Sequence, residues 1–399
     1  MLRNDFSFTL REAGGALADL GVLVPLVLLL IMKNGMNPTA VLAWAGIVYI
    51  ISGALFRVPM PVQPLKAVSI IAIAANLSPS VIAAAGILMG GILLCLSVTG
   101  ASDLLSRIFT RPIVRGIQLG VGIMLVSNGM KMLLDPRFLQ GGGKVIYNIL
   151  GADVPAGLLA GIIGTGILMI FAAGSRVPSV ILLLLFGVAA SLAFGSYETL
   201  QKVTIAPAPL HPALPSLNDF TTAFFMLVLP QLPLTFGNSI VATADTAAGY
   251  FGGNGRRVTP RRLALMLGFT NITAGLIGAA PLCHGAGGMT AHYRFGARTG
   301  AMGIMIGTLL LAVGLLFGQS APQLFVLVPP AILGVLLIFI GIEHAMLIRD
   351  ILDARGELFV TIAIGTIAAA TGNILAGTAA GFCLLAGERL FRLKQAECR

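Results

Sequence analysis

Pro281-Leu282-Cys283-His284-Gly285-Ala286-Gly287-Gly288-Met289 interrupts a hydrophobic run where a membrane span would be one unbroken helix. Proline removes a backbone donor, and the glycines at 285, 287 and 288 disfavour helix. In hydrocarbon every peptide group needs a partner, so a broken segment at this depth is buried in protein or lines a polar cavity. Where helix resumes, near Gly287, its first free N–H groups face the bilayer middle, an arrangement suited to an anion. The stretch reads as a binding site made of backbone.

A second stretch reads the same way: Val58-Pro59-Met60-Pro61-Val62-Gln63-Pro64-Leu65-Lys66-Ala67. A constant offset that aligns Gly53 with Gly275 sets Pro59 against Pro281, Gln63 against Gly285 and Lys66 against Gly288. Three prolines between 59 and 64 are too many for one kinked helix. Extended at about 3.3 Å per residue, Pro59 to Pro64 covers close to 20 Å. A helix from Leu65 to Leu77 adds roughly 20 Å at about 1.5 Å per residue. Each broken segment is therefore expected to be half strand and half helix, with the two strands pairing side by side. Paired interruptions in corresponding places of two halves point to the central site of a secondary transporter.

Composition sets the class. Of the residues, 57% are hydrophobic and 10% charged, and apolar runs of span length recur throughout. The predicted fold is an all-α polytopic membrane protein of fourteen segments. The first repeat covers residues 1–195, with segments 13–32, 38–57, 59–77, 79–100, 112–134, 155–173 and 178–195. A proline-rich connector covers 196–219, where Asp219 is positioned to cap the next helix. The second repeat covers 220–399, with segments 220–249, 260–279, 281–297, 299–318, 322–344, 356–371 and 373–391. The tail beyond Leu390 is too short for a soluble regulatory domain, and the first apolar run reads as a retained span.

The formal net charge of +10 suggests nucleic acid in a soluble domain, but here it follows the topology. With the N-terminus inside, the inner loops hold Arg107, Arg111, Arg115, Arg176, Arg256, Arg257, Arg261, Arg262, Arg294, Arg298, Arg349 and Arg355. The outer loops hold only Lys33, Lys131, Arg137, Lys144 and Lys202. This asymmetry predicts cytoplasmic termini and no nucleic-acid partner. Seven spans per half make the repeats inverted. The four cysteines, Cys95, Cys283, Cys383 and Cys398, have neither metal nor disulfide spacing.

The candidate site residues follow. Asp19 lies a few residues into the first span, as a structural partner for a nearby cation or as a group coupled to transport. Asn238 and Ser239 occupy the corresponding place in the second half and offer polar contacts without charge. Lys66 stands just past the first break, where it complements a doubly charged anion or neutralises Asp19 or Asp245. Gln63 donates through its amide. His284 precedes the glycine turn of Gly285, Ala286, Gly287 and Gly288, and Leu65 opens the first half-helix. Asp245 is a second coupling candidate or an ion-pair partner of the arginines in the next loop. Glu343 and His344 read as boundary residues. Cys283-His284 resembles a nucleophile and base, but no carboxylate stands beside them, so no enzyme is expected.

Pro59-Met60-Pro61-Val62-Gln63-Pro64-Leu65-Lys66 is one of three composite motifs. The others are Pro230-Gln231-Leu232-Pro233-Leu234-Thr235 with Asn238-Ser239, and Cys283-His284-Gly285-Ala286-Gly287-Gly288 with Tyr293-Arg294-Phe295-Gly296-Ala297-Arg298. Together with Asp19-Leu20-Gly21 they resemble the molybdate transporter family, a branch of the sulfate permease superfamily. The resemblance implies a seven-plus-seven inverted repeat like that of nucleobase symporters, with a core domain moving against a gate domain. It implies uptake of a tetrahedral oxyanion (molybdate, with tungstate or sulfate as relatives) between the third and tenth segments, in the cell membrane, by a homodimer. No cofactor or metal is expected beyond a coupled proton or cation. An anion channel is the alternative from another class, with the broken segments as its filter.

Overall fold

The computed structural model describes residues 6–101, 109–139, 143–149, 151–171, 179–211 and 214–397. Among these, six helices are long and apolar enough to cross a membrane: Pro38–Phe56, Pro79–Val98, Arg111–Leu133, Ser179–Ser196, Leu217–Phe251 and Ala301–Phe325. A seventh candidate is a bent pair, Leu10–Val24 with Leu26–Met32, turned by 42°. Ala156–Ile170, Pro330–Phe339 and Ala376–Gly387 are shorter apolar helices. Pro260–Ile277 is of span length, but its first turn carries Arg261 and Arg262. The broken segments cannot appear as single long helices, so length and composition alone do not give the expected fourteen.

Buried apolar side chains form two main clusters. One draws mostly on residues 16–98 and 223–310, the other on 113–184 and 332–374. Glycines let paired helices approach closely. A Cβ on Gly46 would lie 2.5 Å from the Gly307 carbonyl, and one on Gly122 would lie 2.7 Å from that of Gly341. Small residues set helix contacts in lipid because burying apolar area there gains nothing over the hydrocarbon.

Three local features depart from expectation. Ser216 caps the helix that opens the second half, and Asp219 is the third residue of a capping box rather than the cap. An exposed hairpin, Ile146–Ile149 with Ala152–Pro155, occupies a stretch expected to be loop. The Leu217–Phe251 helix widens into π turns at Phe224–Val228 and Thr235–Ala242. Pro230 and Pro233 lack the N–H groups that regular α turns require, and the register loosens around them. Asn238 and Ser239 ride on the second π turn.

Candidate functional site

Both broken segments are strand then helix. Gln63–Pro64 leads into Lys66–Ala74, and Leu282–Cys283 leads into Ala286–Arg294. The strands pair antiparallel, Gln63 opposite Cys283 and Pro64 opposite Leu282, and the Leu65 N–H donates to the Pro281 carbonyl at 2.9 Å. Each thus supplies the other's ladder partner, as expected.

The internal register differs from the constant offset read in the sequence. The half-helices run 66–74 and 286–294, a shift of 220. The helices before them start at Pro38 and Pro260, a shift of 222. The second copy is two residues shorter between these points. Structurally, Gln63 therefore answers Cys283 rather than Gly285, and Lys66 answers Ala286 rather than Gly288.

Gly285 is the point of convergence. A Cβ placed there would lie 3.2 Å from Asn238 Nδ2, 3.4 Å from Gln63 Oε1 and 3.6 Å from Lys66 Nζ. Three separate elements deliver these groups: the π turn, the first strand and the first half-helix. Gln63 Oε1, Lys66 Nζ, Asn238 Oδ1, Ser239 Oγ and His284 Nε2 are all buried without a hydrogen-bond partner among the described residues. An unmet buried polar atom costs about 1–3 kcal/mol, a cost that a polar ligand placed here would relieve.

The second half-helix contributes backbone. Gly285 precedes it with no side-chain cap, and the Ala286 and Gly287 N–H groups have no partner among the described residues. Gly288 and Met289 turn back onto the Gly285 carbonyl at 3.1 and 3.3 Å. The first half-helix differs. Its Ala67 and Val68 amides donate to Gln231 Oε1 at 2.8 and 3.3 Å. Gln231, fully buried, donates in turn to Thr235 Oγ1 at 3.0 Å. The amide cradle is one-sided: Lys66 remains at the first junction, but two of its free amides are taken.

Other candidates frame the centre. His284 is fully buried, its Nδ1 held 2.7 Å from the Pro61 carbonyl. Thr243 donates to the Asn238 carbonyl at 2.9 Å and also to the His284 carbonyl, tying the π turn to the second junction. Asp19 lies between the Leu10–Leu17 and Leu20–Met32 helices and accepts from Gln63 Nε2 at 2.5 Å. Asp245 lies apart. It is 46% exposed and paired with Arg115, which also binds Asp350 at 2.6 Å. The arginines of the following loop are not its partners in these pairs. Hydrogen bonds from Arg115 and Arg111 hold the Asp350 carboxyl below its usual range.

The structure also corrects the reading of His344 and adds three residues. His344 is not a boundary residue. It is fully buried, its Nδ1 3.2 Å from Thr290 Oγ1 and its Nε2 3.9 Å from a Cβ built on Gly287. Glu343 has no described side chain. Gln231 is a lone glutamine between two prolines in an apolar span, and the structure gives it the role of capping the first half-helix. Asn271 grips the second strand, donating to the Leu282 carbonyl at 3.0 Å and accepting its N–H at 2.6 Å. His292, fully buried on the second half-helix, stands 4.0 Å from Asp19 Oδ2.

A cavity of about 270 Å³ runs beside the first half-helix from Lys66 to Gly372 and Asn373. Lys66, Leu125, Asn128 and Leu234 line it. Leu125 also lies 3.6 Å from a Cβ built on Gly287, so the cavity and the second half-helix share a wall.

Residues 11–125 and 223–343 match the family model described as the molybdate transporter of the MFS superfamily. Molybdate transporter 2 of Arabidopsis thaliana is 30% identical over 434 residues, covering 100% of this chain and 90% of that protein. Molybdate transporter 1 of Chlamydomonas reinhardtii is also 30% identical, over 88% of this chain and 86% of its own. Among solved structures, the transmembrane domain of a cyanobacterial bicarbonate transporter, BicA, aligns with a TM-score of 0.57 at 17% identity, over 93% and 96% of the two chains. The murine anion transporter Slc26a9 aligns with a TM-score of 0.62 at 14% identity, over 98% of this chain and 70% of its own. This is a helical membrane transporter with the fold of the Slc26 and bicarbonate proteins, not an enzyme, and by the family match and these relatives it belongs to the molybdate transporter family.

Proposed function

We propose that the protein is a secondary active transporter that imports molybdate by alternating access. The anion lies at Gly285, against the Ala286 and Gly287 amides, with Lys66 Nζ, Asn238, Ser239 and the Gln63 amide around it. One observation carries this reading: polar side-chain atoms from three elements meet at a residue with no side chain, and two of them, Gln63 Oε1 and Lys66 Nζ, are buried without a partner among the described residues. A dianion that must bind and leave needs donors without full neutralisation. One lysine plus a helix amino end provides that. The fourteen spans of two inverted repeats would place the site at mid-membrane, with both termini cytoplasmic in the cell membrane.

The two apolar clusters are the candidate bodies that shift against each other, one holding the first half-helix and the other the Arg111–Leu133 wall, with the second half-helix packed against both. The cavity on the Asn373 side and the Arg115–Asp245 pair toward the opposite end of those helices match an outward-open arrangement. Competition among molybdate, tungstate, sulfate and uracil for the purified protein tests the proposal. Molybdate and tungstate should displace each other, sulfate should bind more weakly, and uracil should not bind. Preference for sulfate would assign another oxyanion, and open-channel conductance in planar bilayers would contradict a carrier.

A further inference from the structure

We infer that Gln63 is a relay that ties a proton on Asp19 to the polarity of the anion site, so that one proton binds with each anion. This deepens the oxyanion reading above and rests on it.

Asp19 is 1% exposed. Its Oδ1 accepts from Gln63 Nε2 at 2.5 Å, while Oδ2 faces the Tyr49 hydroxyl at 3.5 Å and His292 Nε2 at 4.0 Å. His292 Nδ1 lies 2.7 Å from the Gly15 carbonyl. A carbonyl only accepts, so Nδ1 carries the hydrogen, and Nε2 of the neutral ring presents a lone pair. That nitrogen has no hydrogen-bond partner among the described residues and lies 4.0 Å from a carboxylate oxygen. Two electron-rich atoms face each other in a fully buried place, and one proton on either removes the conflict. The remaining groups acting on this centre are Lys66, whose Nζ lies beyond Gln63 at Gly285, and the buried thiol of Cys283. The Asp19–His292 pair is a one-proton site.

Gln63 carries the state of that site to the anion. Its Nε2 serves Asp19 and its Oε1 faces Gly285 without a partner. With Asp19 ionised, the carboxylate holds the NH2 group, and the amide turns a carbonyl oxygen toward the place where an anion would sit. Such a wall repels anions. With Asp19 protonated, its O–H can donate to Gln63 Oε1 once the amide turns over, an easy rotation for this terminal bond. The NH2 group then faces the anion as a donor. The proton arrives at Asp19 Oδ1 and leaves to solvent when the anion leaves. Gly288 supports the turn, since a Cβ there would lie 2.7 Å from Gln63 Nε2 and 3.0 Å from Asp19 Oδ2.

Linkage is reciprocal: if protonation favours the anion, the anion favours protonation. The experiment measures molybdate affinity and proton release or uptake together on the detergent-purified full chain, in weakly buffered dye solution from about pH 5.5 to about pH 8. Wild type is expected to take up close to one proton per molybdate, with affinity falling up to about tenfold per pH unit across the upper range. Asp19→Asn should bind with no proton uptake and a flat pH profile. Tyr49→Phe preserves packing while removing a donor to the carboxylate, and should move the midpoint to higher pH. Wild-type binding without proton uptake, a sloped Asp19→Asn profile or an unmoved Tyr49→Phe midpoint would overturn the relay and leave the oxyanion reading standing. Wild type that binds no oxyanion at any pH would overturn the reading beneath it.

Discussion

Gln231 accepts the Ala67 amide at 2.8 Å, and this bond makes two half-helices of equal length unequal at their amino ends. One is capped from within the protein and the other is open. Replacing Gln231 with leucine would leave the buried Val68 amide and the half-buried Ala67 amide unpaired. The expected cost is about 2–4 kcal/mol for two lost partners, seen as a lower melting temperature in detergent. Molybdate should still bind, more weakly, because the open end is untouched. A variant as stable as wild type would show that water or another side chain takes over the cap.

Glycines 287 and 288 should respond differently to the same substitution. A Cβ at 288 meets Pro61 Cβ at 2.6 Å and the Gln63 amide at 2.7 Å, whereas at 287 nothing lies nearer than 3.6 Å. Gly288→Ala is expected to reduce molybdate affinity at least tenfold, about 1.4 kcal/mol. Gly287→Ala should fold normally and lose less. Calorimetric titration of both variants checks the order, and equal effects would count against the close packing at Gly288.

The Arg115 cluster predicts a pH dependence on the face opposite the cavity. Asp350 is held below its usual carboxylate value chiefly by the hydrogen bond from Arg115. Its contribution is therefore full above the unfolded value near about 3.9, and disappears as pH falls through the lower folded value. The aspartate side chain is 37% exposed, so Asp350→Asn should cost no more than about 1 kcal/mol at neutral pH. The difference from wild type should shrink in melts as the pH is taken down through that lowered folded value. A difference that persists at low pH would assign the effect to packing.

Asn271 offers a test of the strand itself. Its side chain completes both backbone groups of Leu282, so Asn271→Ala removes two buried bonds from the element that presents Gly285. The expected loss is about 2–4 kcal/mol of stability. Asn271→Asp keeps the acceptor for the Leu282 N–H and should lose less. Thermal melts rank the two, and equal losses would contradict the paired bonds.

Much of this arrangement is written in local chemistry. Prolines and glycines around residues 59–64 and 281–288 forbid continuous helix, and neither strand can meet its backbone needs alone, so their pairing follows. Asn238 was legible as a polar residue in an apolar span, and the structure brings it to Gly285 with Gln63 and Lys66. The register was not legible. Two residues missing from the second copy move Gln63 opposite Cys283, and no constant offset reports such a deletion. Nor did periodicity reveal His292 and His344, because a fully buried histidine is fixed by which helices surround it. Gln231 was visible, but its role depends on a π turn whose widening no residue pattern gives directly.

Tungsten is a strong anomalous scatterer, so crystals of the protein grown with tungstate locate the anion directly. The account predicts one peak in the space at Gly285, within hydrogen-bonding reach of the Gly287 amide, Lys66 Nζ and Asn238 Nδ2. A peak beside the Gln231-capped amides of Ala67 and Val68, or out among the apolar walls of the cavity, would contradict it.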